Sequence, residues 1–315
     1  MPSGGASASR GASGGASASS GDERMRRFIE RHARLLVLTG AGCSTESGIP
    51  DYRDADGGWK RAAPVMFQAF IGDAAIRQRY WARSLAGWRR MRTAQPNAAH
   101  RALVQLQRQQ RLQCLVTQNV DRLHQLAGSA DVIDLHGRID QVRCMSCQVR
   151  LPRETLQAEL LRLNPAWAAL DALAAPDGDA DLEAPDFSGF QVPCCSLCGG
   201  LLKPDVVFFG ESVPPDRVDL AMMHLRQADA LLVVGSSLMV YSGYRFAQAA
   251  ATAGKPIAAV NLGHTRADAL LSLKLSEPCA AALAFLLPPP GEAPPRDALP
   301  CDSPSAATLA ATAAS

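Results

Sequence analysis

Four cysteines fall into two C-x-x-C pairs, a spacing typical of metal ligands. The pairs are Cys144 with Cys147 and Cys195 with Cys198. Four thiolates suit one tetrahedral Zn²⁺ per chain, and a redox-active pair is the weaker interpretation because there are two such pairs. Four protein ligands leave no open position, so the ion would be structural. Cys194 adjoins Cys195, but the spacing selects Cys195.

One histidine, His136, follows the apolar run Val132–Leu135 and precedes a glycine. An imidazole at such a strand end can take a proton near neutral pH, which suits a general base. From its position alone, a structural histidine is the favoured alternative. The other histidines match no motif, and we expect them at the surface; they are His32, His100, His124, His224 and His264.

A glycine loop, Thr39–Ser44 (TGAGCS), follows the apolar run Ala33–Leu38. Its glycines would let the backbone approach a pyrophosphate, although a lone G-x-G is equally a tight turn. The next glycine, Gly48, is off the usual spacing, and no acidic residue about 20 residues on ends a second strand. Both departures disfavour a hydride-transferring dehydrogenase. Cys43 is interpreted as a small buried residue rather than a catalytic thiol.

The elements that must position these residues alternate between strands and helices. Apolar runs end in small or polar residues at Ala33–Leu38, Leu112–Val116, Val132–Leu135, Val206–Phe209, Ala230–Val234 and Ile257–Val260. Helical patterns such as Pro96–Gln110 and Asp216–Gln227 lie between them. The alternation predicts an α/β fold with a doubly wound parallel sheet of the Rossmann type, whose ligands bind beyond the carboxyl ends of the strands.

Two segments, 52–92 and 141–202, interrupt the alternation of strands and helices and suggest a division into domains. Residues 23–140 and 203–286 are assigned to the Rossmann-type domain, with a helical insertion at 52–92, and residues 141–202 to a smaller zinc-binding domain. The Gly/Ser/Ala-rich stretch 1–22 and the Pro/Ala-rich stretch 287–315 are predicted to be disordered tails. The first tail lacks the apolar core of a secretory signal, and a plain tail is favoured over a mitochondrial transit peptide.

The net charge of the chain limits which partners are expected, and its cysteine content indicates the redox state of its compartment. The chain has 315 residues and a formal net charge of +2, from 32 basic and 30 acidic side chains. This balance gives no reason to expect direct binding of nucleic acid or of a membrane surface. No uncharged apolar run is long enough for a transmembrane helix. The nine cysteines are an odd number, so metal binding in a reducing compartment is favoured over a disulfide framework.

The string GAGCSTESGIPDYR at Gly40–Arg53 resembles the sirtuin signature GAGxSxxSGIPDFR. Further sirtuin-like motifs follow in the family's order between Arg34 and Cys279: Thr117–Asp121, Leu135–Gly137, the two C-x-x-C pairs, Lys203–Glu211, Gly235–Leu238 and Asn261–Gly263. The strings IRQRYWAR and KPDVVFFGE are most similar to the class II branch, which includes the mitochondrial sirtuin four and bacterial relatives.

The resemblance implies an NAD-dependent protein-lysine deacylase with a structural zinc. NAD and an acyl-lysine of a protein substrate would enter one cleft from opposite sides. The acyl oxygen would attack the ribose carbon that carries nicotinamide, an alkylimidate would form, and a histidine would act as base on the ribose hydroxyl. The composition favours a bacterial cytoplasm, with the mitochondrial matrix as the alternative.

Three other functions compete with the deacylase. A protein mono-ADP-ribosyltransferase would use the same scaffold. An NAD-linked oxidoreductase would convert NAD to NADH rather than release nicotinamide. A non-catalytic zinc-binding module would not depend on His136.

The resemblance also assigns residues, with His136 as the catalytic base. The implied NAD contacts are Gly40, Ala41, Gly42, Ser44, Gly48, Ile49, Pro50, Asp51, Tyr52, Arg53, Gln118, Asn119, Val120, Asp121, Gly235, Ser236, Ser237, Asn261, Leu262, Gly263 and Cys279. From the residues alone, those after the second strand could equally form an Asx-type turn, and the later serines could cap helices.

The substrate side is implied at two places. Val207, Phe208 and Phe209 would flank a substrate peptide that pairs through its backbone. Tyr80 and Arg83 share one face of a predicted helix. In some sirtuins such a pair binds the carboxylate of an acidic acyl group, and a solvent-exposed arginine is the favoured alternative.

Overall fold

The computed structural model describes residues 20–54, 56, 58–60, 64–167, 173–174, 180–181 and 186–289. Most of the two predicted tails lies outside these residues. The first helix begins at Gly21, because Ser20 caps it by accepting a hydrogen bond from the backbone N–H of Glu23. The helix therefore starts inside the stretch 1–22 that the sequence predicted to be a tail.

The strands in chain order are β1 (Leu35–Thr39), β2 (Leu112–Thr117), β3 (Ile133–Asp134), β4 (Gly137–Cys144), β5 (Arg150–Pro152), β6 (Leu173–Ala174), β7 (Ala180–Asp181), β8 (Leu202–Val206), β9 (Ala230–Val234), β10 (Ile257–Val260) and β11 (Leu273–Leu275). The helices are α1 (Gly21–Arg31), α2 (Phe67–Gly72), α3 (Ala74–Met91), α4 (Ala98–Arg108), α5 (Leu123–Leu126), α6 (Arg153–Leu163), α7 (Pro215–Gln227), α8 (Tyr241–Thr252) and α9 (Cys279–Ala282).

Six strands form a parallel sheet in the order β11-β10-β9-β1-β2-β3. Side chains of β1 alternate between two cores. Leu35 and Val37 pack in the core that contains buried residues of α1, α4 and α9. Leu36 and Leu38 pack in the core that contains those of α7 and α8. The predicted doubly wound fold is confirmed, and its strand order reverses between β1 and β9, where such sheets bind ligands.

A second, antiparallel sheet in the order β5-β4-β8 carries the cysteine pairs at its end. The predicted strand Val206–Phe209 is wrong in position, because β8 is Leu202–Val206. This shift buries Lys203, whose ammonium pairs with Glu211 at 3.0 Å. Residues 207–209 are then left to form a wall beyond the strand. β4 also crosses the predicted domain boundary at residue 140, so it joins the two parts of the molecule directly.

Within the described residues, no helix has both the length and the apolar character that a membrane crossing requires.

Candidate active site

The glycine loop after β1 lies directly against the end of β9. The Gly40 amide donates to the Val234 carbonyl at 3.1 Å, and the Gly42 amide donates to the Gly235 carbonyl at 2.9 Å. Gly235 has a φ of 64°, and a Cβ added to it would lie 2.2 Å from the backbone nitrogen of Cys43. Only glycine fits this crossing. The close contact keeps this edge of the sheet free of side chains, as a bound pyrophosphate requires.

A cavity of about 760 Å³ opens at the carboxyl ends of the strands, between the parallel sheet and the wall formed by residues 207–209. It is lined by Gly40, Ala41, Gly42, Ser44, Ile49, Asp51, Tyr52, Arg53, Gln118, Asn119, Val120, Asp121, Gly235, Ser236, Ser237, Asn261, Leu262, Gly263 and Cys279, and also by His136, Tyr80, Val207, Phe208 and Phe209. Gly48, Pro50 and Arg83 are the residues of the predicted NAD and substrate sets that do not line it.

His136 is held by hydrogen bonds at both ring nitrogens. Its Nδ1 lies 2.9 Å from the Gln118 carbonyl oxygen, which can only accept, so Nδ1 carries the proton. The neutral ring therefore has its lone pair on Nε2. Nε2 lies 2.8 Å from the hydroxyl oxygen of Ser242, which donates to it. This tautomer is the one that a base acting through Nε2 needs.

Burial keeps this imidazole neutral. The pKa of His136 is lowered to about 4, chiefly by desolvation; the nearby cations Arg217 and Arg245 add to the shift, and the hydrogen bond to Gln118 opposes it. A neutral histidine is ready to accept a proton at pH 7. Ser242 and Arg245 also line the cavity, and sequence reasoning missed both. They lie one helical turn apart at the start of α8, a spacing that has no distinctive pattern.

Polar side chains after β2 form a buried network. The Ser44 hydroxyl donates to a carboxylate oxygen of Asp121 at 2.7 Å, and the Asn119 amide donates to the Gly40 carbonyl and to Ser44 Oγ, both at 3.0 Å. Asp121 also accepts from the Leu123 amide at 2.9 Å, so the turn-forming alternative is present in the structure as well. Burial raises the pKa of the Asp121 carboxyl. The network ties the glycine loop to the end of β2.

Gln118 connects the two halves of the sheet. Its side-chain amide donates to the Ser236 hydroxyl at 2.7 Å, across the point where the strand order reverses. Its backbone amide donates to the Thr39 carbonyl at 2.9 Å. Because its own carbonyl holds His136, this residue links the glycine loop, the serine loop after β9 and the base.

Three aromatic rings stand together at one side of the cavity. Tyr52, Trp59 and Phe209 meet edge to face, with ring centroids 5.5 to 6.2 Å apart. The Arg53 guanidinium lies over the Trp59 ring at 4.1 Å. Tyr52, which the resemblance implied as an NAD contact, therefore belongs to a three-ring cluster, and Trp59 was not predicted.

Tyr80 and Arg83 separate in the structure. Tyr80 is buried, lines the cavity and packs against Phe70 and Phe208, with ring centroids 5.3 and 5.2 Å away. Arg83 is half-buried outside the lining. Residues three apart on a helix point about 60° apart around its axis. Tyr80 can therefore line the cavity while Arg83 lies beyond its edge. The apolar lining of the cavity thus extends to Tyr80, and Arg83 does not add a cation to that lining.

The four predicted zinc ligands converge. Their sulfur atoms all lie within 4.8 Å of one another, with Cys144 Sγ 3.5 Å from Cys198 Sγ and Cys147 Sγ 3.8 Å from Cys195 Sγ. A tetrahedron with Zn–S bonds of about 2.3 Å has S–S edges of about 3.8 Å, so the donor set fits Zn²⁺. Cys194 is exposed and outside the cluster.

Two histidines contradict the expected surface positions. His100 and His124 are almost completely buried, at 0% and 1% exposure. Burial lowers the pKa of His100 to about 4 and that of His124 well below its ordinary value. Their rings lie behind the glycine loop, with centroids 4.7 Å apart.

Comparison with known proteins is consistent with this geometry. The model of the Sir2 family matches residues 40–242. A protein of Xanthomonas campestris pv. campestris named NAD-dependent protein deacetylase is 65% identical over 84% of this chain and 91% of its own length. A protein of the same name from Bordetella pertussis is 62% identical over 84% of this chain and 97% of its own length.

Solved structures agree. One described as Sir2 with a p53 peptide and NAD⁺ has 28% identity and a TM-score of 0.68, covering 84% of this chain and 96% of that chain. One described as Sir2 bound to acetylated peptide has 28% identity and a TM-score of 0.67, covering 84% of this chain and 95% of that chain. This chain belongs to the Sir2 family.

Proposed function

We propose that this protein is an NAD-dependent protein-lysine deacylase. It transfers the acyl group of a lysine side chain to the ADP-ribose part of NAD and releases nicotinamide. The observation that carries the proposal is the position of His136. Its neutral ring, with the lone pair on Nε2, lines a cavity that has the glycine loop on one side and the apolar wall Val207–Phe209 on the other.

The two sides of the cavity suit the two substrates. The glycine loop and the polar ends of β1, β2 and β9 offer backbone amides, hydroxyls and carboxamides, which match phosphate and ribose groups. Phe208 and Tyr80 offer an apolar slot for the alkyl stem of an acylated lysine. The exposed residues Val240 and Tyr241 stand at the mouth, where a substrate peptide could pair through its backbone.

Within this site, His136 accepts a proton at Nε2 from a ribose hydroxyl after nicotinamide has left. Gln118 keeps the ring in the productive tautomer. Ser242 is a positioning residue whose hydroxyl donates to the neutral ring and accepts from the protonated one. The four cysteines hold zinc away from the reacting atoms and supply no open coordination position.

The test supplies the purified protein with NAD and a peptide that carries acetyl-lysine, and follows nicotinamide, free lysine and acylated ADP-ribose by mass spectrometry. We expect all three products in equal amounts, and we expect His136→Ala to slow deacylation by about 100- to 10,000-fold. His224→Ala is the matched control, because His224 lies on α7 outside the cavity lining. Transfer of ADP-ribose to protein without deacylation would favour the ADP-ribosyltransferase instead. Formation of NADH would refute the proposal.

We also propose that the reaction takes place in a bacterial cytoplasm. The support is chemical: a zinc site built from four thiolates needs a reducing compartment. Fractionation of cells that carry a tagged copy would test this, and recovery of the protein outside the cytoplasmic fraction would contradict it.

A further inference from the structure

Cys43, His100 and His124 form a cluster of possible metal ligands beneath the glycine loop. One ligand atom of each lies within 4.8 Å of the others, and all three side chains are at most 1% exposed. They come from separate elements: the turn after β1, α4 and α5. The cluster is separate from the four-cysteine site, and no step assigned to His136 uses it.

Two ring nitrogens in the cluster have no hydrogen-bond partner among the described residues, namely His100 Nε2 and His124 Nδ1. A buried polar atom left in this state costs about 1–3 kcal/mol. The tautomer of His124 follows from its neighbours. The Thr39 hydroxyl donates to the Thr117 hydroxyl at 2.8 Å, so it accepts from His124 Nε2 at 2.9 Å. His124 therefore has its lone pair on the unpartnered Nδ1.

His100 is held in a comparable way. Its Nδ1 lies 3.0 Å from the side-chain oxygen of Asn97 and 3.3 Å from the backbone nitrogen of the same residue. In the tautomer that donates to the nearer oxygen, the lone pair is on the unpartnered Nε2, and this is the tautomer that a metal ligand needs. The same asparagine donates from Nδ2 to the Cys43 carbonyl at 2.8 Å. Metal-binding imidazoles in proteins are oriented by such hydrogen bonds at the other nitrogen.

We propose that Cys43, His100 and His124 are a second metal site, which takes one Cu⁺ ion. Thiolate and imidazole are ligands that copper prefers. Among the residues that the structure describes, no fourth Cys, His, Asp or Glu joins the cluster, whereas Zn²⁺ in proteins usually has four ligands. Binding replaces the Cys43 thiol proton, which leaves to solvent, with a sulfur–copper bond, and no electron is transferred.

Charge gives a second reason for Cu⁺. One thiolate and two neutral imidazoles around Cu⁺ have no net charge, so the complex can be buried without a counter-ion. Zn²⁺ with the same ligands would leave one positive charge in the core, which is costly.

An ion could reach the cluster beside Asn97. A surface cleft is lined there by Glu46, Ser47 and Gly48 on one side and by the segment 93–98 on the other. Asn97 closes its floor by bonding both Cys43 and Ser47.

The experiment uses the full chain with zinc already bound. Cu⁺ is added without oxygen in competition with bicinchoninate, while released zinc is followed with a chromogenic chelator. We expect one Cu⁺ per chain to bind before any zinc is released. The copper X-ray absorption spectrum should show one sulfur and two nitrogen neighbours. Zinc release from the first addition, or a copper environment of two or more sulfurs, would overturn the proposal.

Substitutions of single residues test which side chains bind the Cu⁺ ion. Cys43→Ser and His124→Gln should each weaken Cu⁺ binding about 100-fold or more. Cys114→Ser is the matched control, since Cys114 is another buried cysteine outside the cluster. Cys279→Ser tests the alternative of a two-thiolate site, because Cys279 lies near enough to influence the Cys43 thiol. Equal loss in Cys279→Ser and Cys43→Ser would contradict the assignment. If the variants of the cluster do not fold, the copper X-ray absorption spectrum of the wild-type protein alone decides whether one sulfur and two nitrogens bind the ion.

Discussion

Replacement of Ser242 by alanine should slow deacylation without slowing the loss of nicotinamide. Ser242 lies 2.8 Å from the nitrogen of His136 that would receive the proton. The hydroxyl can turn, so it donates to the neutral ring and accepts from the imidazolium. Alanine leaves Nε2 without a partner in both states, and the loss is larger for the charged state. The substitution therefore makes His136 a weaker base.

The magnitude follows from the strength of that bond. A hydrogen bond to a charged group contributes about 1.5–3 kcal/mol, which corresponds to a decrease in kcat of about 10- to 150-fold. Nicotinamide leaves before the base acts, so the exchange of labelled nicotinamide into NAD should change by less than about threefold. The assay compares this exchange with single-turnover release of free lysine. Ser242→Thr retains the hydroxyl and should recover part of the rate.

A double-mutant cycle separates positioning from general damage. In the His136→Ala background, Ser242→Ala should have no further effect, since the group it positions is gone. Equal slowing of exchange and deacylation would show that Ser242 supports binding or folding rather than the base. Unchanged deacylation would show that the bond to His136 has no role in the reaction.

Three further outcomes are expected. Cys195→Ser should lose the bound zinc and lower the melting temperature, whereas Cys194→Ser should keep one zinc per chain; metal analysis by mass spectrometry distinguishes them. Burial lowers the pKa of His100 from 6.5 to about 4, so between these values the unfolded chain binds a proton that the folded chain does not. This one group should thus lower the free energy of unfolding by about 2 kcal/mol from pH 7 to pH 5. Urea unfolding measures the total fall, to which His124 and His136 add because their pKa values are also lowered, and His100→Gln should reduce the total by about that amount. Tyr80→Ala should change the preference between acetyl- and butyryl-lysine peptides, whereas Arg83→Met should leave the ratio of glutaryl- to acetyl-lysine turnover within about threefold; a larger shift for Arg83→Met would contradict the observed position of its side chain.

The parts of the fold that depend on local pattern could be predicted. The runs Ala230–Val234 and Ile257–Val260 are apolar throughout, and both are strands with every residue buried. Strands buried on two faces of a parallel sheet require this pattern. The strand β8 could not be placed in this way, because it contains the buried residues Lys203 and Asp205. Lys203 pairs with Glu211 beyond the end of the strand, and Asp205 pairs with Arg150 on β5. Hydrophobic periodicity does not reveal either ion pair.

In the candidate site, too, the sequence pattern predicted some positions, and contacts between elements determine the others. Spacing alone selected Cys195 over Cys194, and the structure places Cys195 in the sulfur cluster. By contrast, the burial of His100 and His124 results from the packing of α4 and α5 beneath the glycine loop. Ser242 has no distinctive neighbours in sequence, and only the approach of the first turn of α8 to the residue between β3 and β4 brings it to His136. Contacts between helices, strands and loops determine these positions, so they cannot be predicted from the sequence of a single helix or strand.

The same contacts explain how a structural metal can matter to a site that it does not touch. His136 is followed at once by Gly137, the first residue of β4, and the strand ends at the zinc ligand Cys144. The His136 carbonyl also accepts from the Val207 amide at 2.7 Å, at the beginning of the apolar wall that follows β8. Loss of zinc would loosen the paired strands β4 and β8 at one end. Because the base and the substrate wall are fixed at the other end of this pair, the effect should appear first as weaker peptide binding, while the glycine loop, held by β1 and β9, is retained.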